Sequence, residues 1–249
     1  MIRRSAPTTS TRRFVAATLV LALAMLVAAG CGGDDGDGSD GGSLGDGNPP
    51  STGLVKITTP SKPTPNASLT EGLDPKTTTL LDDAGCEYGV FDEQQGKHVE
   101  SAKLAWKTFP PTSGTHIEIW APFGLYDKPV PDGYVVHNLE HGGVAVWLGT
   151  KVDDATKDAV AGLLDNEEKW IVAPRKDIEG LYSAAWATGL YCSPESLTKL
   201  SPADIAAALD DWYDVVNSTG SAAEKDVPAY AGSMKEPTPT NDISADPPF

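Results

Sequence analysis

From residue 103 onward the chain moves between segments of apolar period two and segments of period near 3.6. Residues 103–109 alternate partially and favour extended backbone, which predicts a strand. Pro110-Pro111-Thr112-Ser113-Gly114 must then be a loop, because neither proline can donate to a ladder. Residues 120–133 hold Pro122, Gly124, Pro129, Pro131 and Gly133 and read as an ordered loop. Residues 143–148, with Val144, Val146 and Trp147, predict a buried strand. Over 153–164 a helix is expected, capped by Asp153 or Asp154, with Val160, Leu163 and Leu164 at helical spacing. A short strand at 170–173 stops at Pro174, and 182–191 pairs in the same sheet. The last helix is the best marked. Ser201 is its N-cap, Pro202 suits its first position, Asp204 favours its positive end, and Ile205, Leu209, Trp212 and Val216 share a face. Strands first and helices later predict a single α+β domain, with a mainly antiparallel sheet and two or more helices.

The first 30 residues read differently. Arg3, Arg4, Arg12 and Arg13 precede an uncharged run at 14–29 that is rich in Ala, Leu and Val. That run is short for a membrane span, which needs about 20 apolar residues, and it fits a secretory signal peptide over 1–30. Val27-Ala28-Ala29-Gly30-Cys31 resembles a lipobox, with Ala28 where Leu is commoner. Lipidation of Cys31 follows; simple secretion with cleavage nearby is the alternative. A lipid there would make the membrane a partner and hold the chain outside the cell, on the outer face of the cytoplasmic membrane. Residues 31–71 then form a tether rich in Gly, Asp, Ser, Pro and Thr, too poor in large apolar residues to offset the entropy of ordering it. The polar, Pro-rich segment 233–249 reads as a loose tail, which leaves 72–232 as the globular domain.

A formal net charge of -16 excludes nucleic acid as a partner, since phosphate binding needs clustered Lys and Arg. Of the three cysteines, Cys31 is consumed by the lipid. Cys86 and Cys192 remain in an oxidising compartment, where a disulfide is the default. A free thiol or thiolate metal site is the alternative.

The four histidines, His98, His116, His137 and His141, fall in one short portion of the domain. His137-Asn138-Leu139-Glu140-His141 puts two imidazoles four positions apart, on one face if the segment is helical. Glu140 can join them as a ligand or accept a hydrogen bond from a ligating ring. His116 follows the rigid proline loop, and His98 in Gly96-Lys97-His98 is a further candidate, although alone it reads as a surface or strand residue. Nitrogens with one carboxylate suit zinc or copper(II) better than calcium or magnesium. Two polar residues on a helix end, satisfied by backbone and water, are the plainer reading. The pentapeptide also fits the inverted zinc-protease pattern His-x-x-Glu-His, but Gly142-Gly143 and an apolar strand follow at once, leaving no long helix to carry it. Ser113 lacks a nucleophile-elbow pattern, and no phosphate-binding glycine loop occurs.

Residues 110–116, Trp120-Ala121-Pro122, Gly124-Leu125-Tyr126-Asp127, Pro129 and Val136-His137-Asn138-Leu139-Glu140-His141-Gly142-Gly143-Val144 resemble the domain-of-unknown-function 3105 family. Gly85-Cys86, Gly96-Lys97-His98-Val99, Pro174-Arg175 and Ala185-Trp186 extend the resemblance over roughly 80–215. Thr115 departs from a proline in the family pattern. The resemblance implies a bacterial envelope or membrane-anchored protein with no settled activity. It also implies a site at the positions of His98, His116, His137, Glu140 and His141, and it does not name the ligand.

Three functions stay open on the sequence. One is a lipid-anchored domain with a histidine-rich copper or zinc site formed by His116, His137, His141, Glu140 and His98, weakening below roughly pH 6 as imidazoles of ordinary pKa about 6.5 take up protons. Another is a non-enzymatic envelope module without metal, with an apolar patch near Trp120, Phe123 and Tyr126 for a protein partner. The last is a metal-dependent hydrolase with Glu140 as base.

Overall fold

The structure, a computed structural model, describes residues 58–166, 169–220, 222–225 and 241–242. The signal peptide, the lipid site at Cys31, most of the tether and most of the tail lie outside the described residues.

Two helices open the domain. α1 (Ala67–Gly72) is capped by Asn66, whose side chain accepts from Leu69 N, and α2 (Pro75–Ala84) by Asp74, with Gly85 ending it at φ 77°. Next come the strands β1 (Glu87–Val90), β2 (Lys97–His98), β3 (Thr115–His116) and β4 (Gly124–Leu125), and then helix α3 (Asp132–Glu140). Strand β5 (Val144–Leu148), helix α4 (Asp154–Ala161) and strand β6 (Trp170–Pro174) form a right-sized crossover unit. Strands β7 (Leu181–Ala185) and β8 (Thr188–Cys192), helices α5 (Pro194–Leu197) and α6 (Pro202–Thr219), and strand β9 (Asn241–Asp242) complete it. None of the described helices is long and apolar enough to cross a membrane.

The main sheet runs β1-β8-β7-β5-β6-β4-β9, and β2 pairs with β3 in a separate small one. β5–β6 and β6–β4 are parallel and the other neighbours antiparallel, so the α+β domain has a mixed sheet. Alternate residues of its central strands feed two cores. Val144, Val146 and Leu148 of β5 meet α1, α2, α4 and α6 on one face, through Leu69, Leu81, Val160, Leu209 and Trp212. Ala145 and Trp147 face the other way, into a core built from α3 and the long loops with Phe123, Tyr126, Val135 and Leu139. The disulfide Cys86–Cys192 joins the end of α2 to β8, within the first core.

Several expectations hold in detail. Ser201 caps α6 by accepting from Asp204 N, and Asp153 caps α4 by accepting from Thr156 N. Others need correction. Residues 103–109 are not a strand. Ser101–Lys103 is a 3-10 turn, and Ala105 N donates to Thr115 Oγ1 (3.0 Å) while Ala105 O accepts from the same hydroxyl (3.2 Å), so a neighbouring side chain uses the backbone groups a ladder would need. The expected strand pairing over 182–191 is a hairpin turning at Trp186-Ala187, with Ala187 at φ 54°. Ala187 holds that uncommon conformation while donating to Thr112 O and accepting from Phe91 N. The tether's expected end at residue 71 falls inside the fold. Thr58 N donates to Asp177 O, Ser61 N to Phe109 O, Thr64 bridges to Val90, and Leu69 is buried. These backbone partners and one apolar anchor order a stretch whose composition alone does not. Asn241–Asp242, expected in the loose tail, pair with β4.

Candidate metal centre

Helix α3 carries the centre of the site, and the rest of the domain fixes its position. Asp132 in its first turn receives Arg175 through two parallel hydrogen bonds, 2.5 Å from Nη1 and 2.9 Å from Nη2. Arg175 also donates to Asp177 (2.8 Å) and lies over the Phe109 and Trp147 rings. Further along, the fully buried Asn138 donates Nδ2–H to Ala121 O (2.8 Å) and accepts from Ala121 N (3.0 Å). Those two bonds explain the Asn between the histidines, because they fasten the Trp120-Ala121-Pro122 loop to the helix. Gly142 at φ 74° then turns the chain into β5.

His137 and Glu140, three apart, share one face of α3. The parallel pairing of β2 with β3 sets His98 beside His116. The ring centres of His98, His116 and His137 form a nearly equilateral triangle, with sides of 4.9, 4.8 and 4.8 Å. One ligand atom from each of these three rings and one Glu140 oxygen all lie within 4.8 Å of one another.

The hydrogen bonds define which nitrogens are available. His116 Nδ1 donates to Gly114 O (2.9 Å) and His137 Nδ1 donates to Ile117 O (2.8 Å). A carbonyl can only accept, so each Nδ1 carries hydrogen and each neutral ring presents its Nε2 lone pair. This is the arrangement of metal-ligating histidines, whose second nitrogen is tied to a carbonyl or carboxylate. His116 Nε2 is buried and lacks an aligned hydrogen bond, yet Glu140 Oε2 stands 3.1 Å away. A lone pair and a carboxylate at that distance call for a cation, either a proton or a metal ion. Glu140 fits because residue 96 is glycine: a β-carbon there would overlap its Oε1.

Burial pushes the His137 imidazole down to about 4, helped by the neighbouring His116 ring. Contact with His116 holds the Glu140 carboxyl below its ordinary value, against the opposing effect of burial. A neutral His137 ring beside an ionised carboxylate is the pair of charge states that a divalent ion needs. Bonds of about 2.0–2.1 Å at near-tetrahedral angles would place imidazole centres roughly 5 Å apart around one ion, and the triangle meets that spacing.

His141, expected among the ligands, is outside this group. It lies one residue beyond α3 as its C-cap, with φ −83° and ψ 15°. Its ring stacks on the back of His137 at 4.9 Å, and its Nδ1 faces Glu224 Oε2 at 3.5 Å. Burial lowers its pKa, against the pull of Glu224. Lys169 Nζ donates to His141 O (2.8 Å) and Glu224 N to Glu140 O (3.1 Å), which closes the end of the helix. His98 moves the other way: unremarkable alone in the sequence, it completes the triangle.

The sequence offered no sign of the two carbonyls that hold the rings. The Gly114 and Ile117 carbonyls act through backbone atoms, and nothing in their side chains marks them. Trp120 packs on His137 and His141, with ring centres 5.1 and 5.0 Å away. Trp186 approaches His116 edge-on while its Nε1 donates to Glu93 (2.7 Å). Phe123 and Tyr126, expected on a surface patch, are buried in the second core.

No curated protein and no solved structure matches the chain. Residues 98–202 match a family described as "Protein of unknown function (DUF3105)". The match begins at His98 and takes in His116, His137 and Glu140, so it contains the whole group. This part of the chain is therefore similar to the DUF3105 family.

Proposed function

We propose that the chain is an extracytoplasmic protein, held to the membrane by a lipid on Cys31, whose domain binds zinc or copper(II) through His116, His137, Glu140 and His98. One observation supports this reading above all. Two buried histidines from separate parts of the chain each commit Nδ1 to a backbone carbonyl, which leaves Nε2 as the free donor of each, and both rings stand in one ligand group with Glu140. Helix-end histidines with a purely structural role have no need of such convergence. The described residues contain no methionine, and both of their cysteines are in the disulfide, so a donor set of nitrogen and oxygen favours zinc or copper(II) over copper(I).

Hydrolysis with Glu140 as base fits less well, because Glu140 is engaged with His116 inside the ligand group. An apolar docking patch at Trp120, Phe123 and Tyr126 fits less well too, since two of the three are core residues.

The test is metal analysis of the purified domain after loading with zinc or copper(II) and removal of excess. Wild type should retain about one ion per chain, and the double change His116→Ala, His137→Ala should retain almost none. Equal, sub-stoichiometric metal in both proteins ends the reading. The anchor is tested separately, by detergent partitioning of wild type against Cys31→Ser.

A further inference from the structure

We propose that His98 is the exchangeable ligand of this site, the position at which the ion enters and from which it passes to an acceptor with nitrogen or oxygen donors, while His116, His137 and Glu140 stay in place. The inference rests on the metal reading above and adds the direction of traffic through the site.

The ligands are unequal in how they are held. The His116 side chain is fully buried and His137 nearly so, each with a ring fixed by a carbonyl. Both sit on backbone anchored to the second core: Ile117 N donates to Gly133 O, and α3 is fastened by Arg175 and Asn138. His98 is exposed, and among the described residues no hydrogen bond fixes its ring. It touches the group only through ring contacts with His116 and His137. Its strand is two residues long, pairs with β3 alone, and follows a stretch, 91–96, without regular structure.

These differences set the order of ligand loss. Turning the His98 ring away breaks one metal–nitrogen bond and leaves no buried polar group unpaired. Releasing His116 or His137 would also move a ring that is packed and hydrogen-bonded. Departure of His98 leaves two nitrogens and a carboxylate with one open position, where an incoming donor can bind, unlike the closed four-ligand set of structural zinc sites. An incoming imidazole, amine or carboxylate forms its bond as that to His98 breaks. The ion keeps its charge and its number of ligands, and no electron transfer is involved.

Stopped-flow transfer of zinc from the loaded protein to excess EDTA tests this, together with the count of coordinated imidazole nitrogens by pulsed EPR of the copper(II) form. His98→Ala should still load about one ion, release it roughly tenfold faster or more, and lose one imidazole from the count. His137→Ala should fail to load. Release from His98→Ala at the wild-type rate, an unchanged imidazole count, or failure of His98→Ala to load each overturns the assignment. If the wild-type protein takes up neither ion, the metal reading itself has failed, so the two failures are distinguishable.

Discussion

Gly96 and Glu140 are in contact across the site, and a β-carbon on Gly96 would overlap Glu140 Oε1 and come within 3.1 Å of Cδ. The Trp186 indole stands 3.3 Å from the same point, so the added methyl is closed in on that side and the carboxylate is the group that must give way. Gly96→Ala should therefore displace the carboxylate from the imidazoles and weaken metal binding roughly 10- to 100-fold. Residue 96 lies in a loop, so the thermal midpoint without metal should stay close to wild type. Titration calorimetry reads the first effect and calorimetric melting the second. Undiminished affinity would mean that the carboxylate is not needed where it stands.

Asn138 and Ala121 exchange two buried hydrogen bonds. Asn138→Ala leaves the amide and the carbonyl of Ala121 without partners, at a cost of about 2–4 kcal/mol. Urea unfolding of the metal-free protein measures that loss. A change below half a kcal/mol would show that water replaces the side chain at no cost.

The Cys86–Cys192 disulfide closes a loop with a sequence separation of 106. By the chain-entropy argument, its removal destabilises the domain by about 4–5 kcal/mol. The double change Cys86→Ala, Cys192→Ala should show this in denaturant. It should leave metal stoichiometry unchanged in the folded protein, because the bridge is on the far face of the sheet.

Acid should weaken the metal-free domain through His137. Its folded pKa is about 4, below the ordinary value, so the unfolded chain takes up a proton first as pH falls. The stability this ring contributes is complete above about pH 6.5 and declines as pH falls toward 4. His141 acts in the same direction, and Glu140 adds to the loss at lower pH. Urea midpoints measured from pH 7 to 4 should fall steadily in wild type and less steeply in His137→Gln. A flat wild-type profile would contradict the buried, neutral ring.

Local signals made much of this legible. Ser201, Pro202 and the 205/209/212/216 stripe mark α6, and they are read from neighbours within one helix. His137 and Glu140 are likewise visible as candidates, through the His-Asn-Leu-Glu-His string that sets two imidazoles four apart with the carboxylate between them. Spacing alone could not separate His141 from them, because its orientation depends on where α3 stops and on Glu224. His98 posed the reverse problem. Only the register of a parallel pair joining residues 98 and 116 puts it beside the others, and such pairing leaves no periodic trace in so short a strand. Residues 103–109 and 58–71 depart from expectation for a related reason: Phe109 N donates to Ser61 Oγ and Ser61 N to Phe109 O, partners 48 positions apart that no local pattern announces.

The alternation of central-strand side chains between two cores has a further consequence. Helices α1, α2, α4 and α6 and the covalent bridge all fall on one side, while the imidazoles gather above the other. The ligand group therefore rests on a layer of its own, and a change of side chain among the imidazoles need not pass through the helices packed on the opposite face.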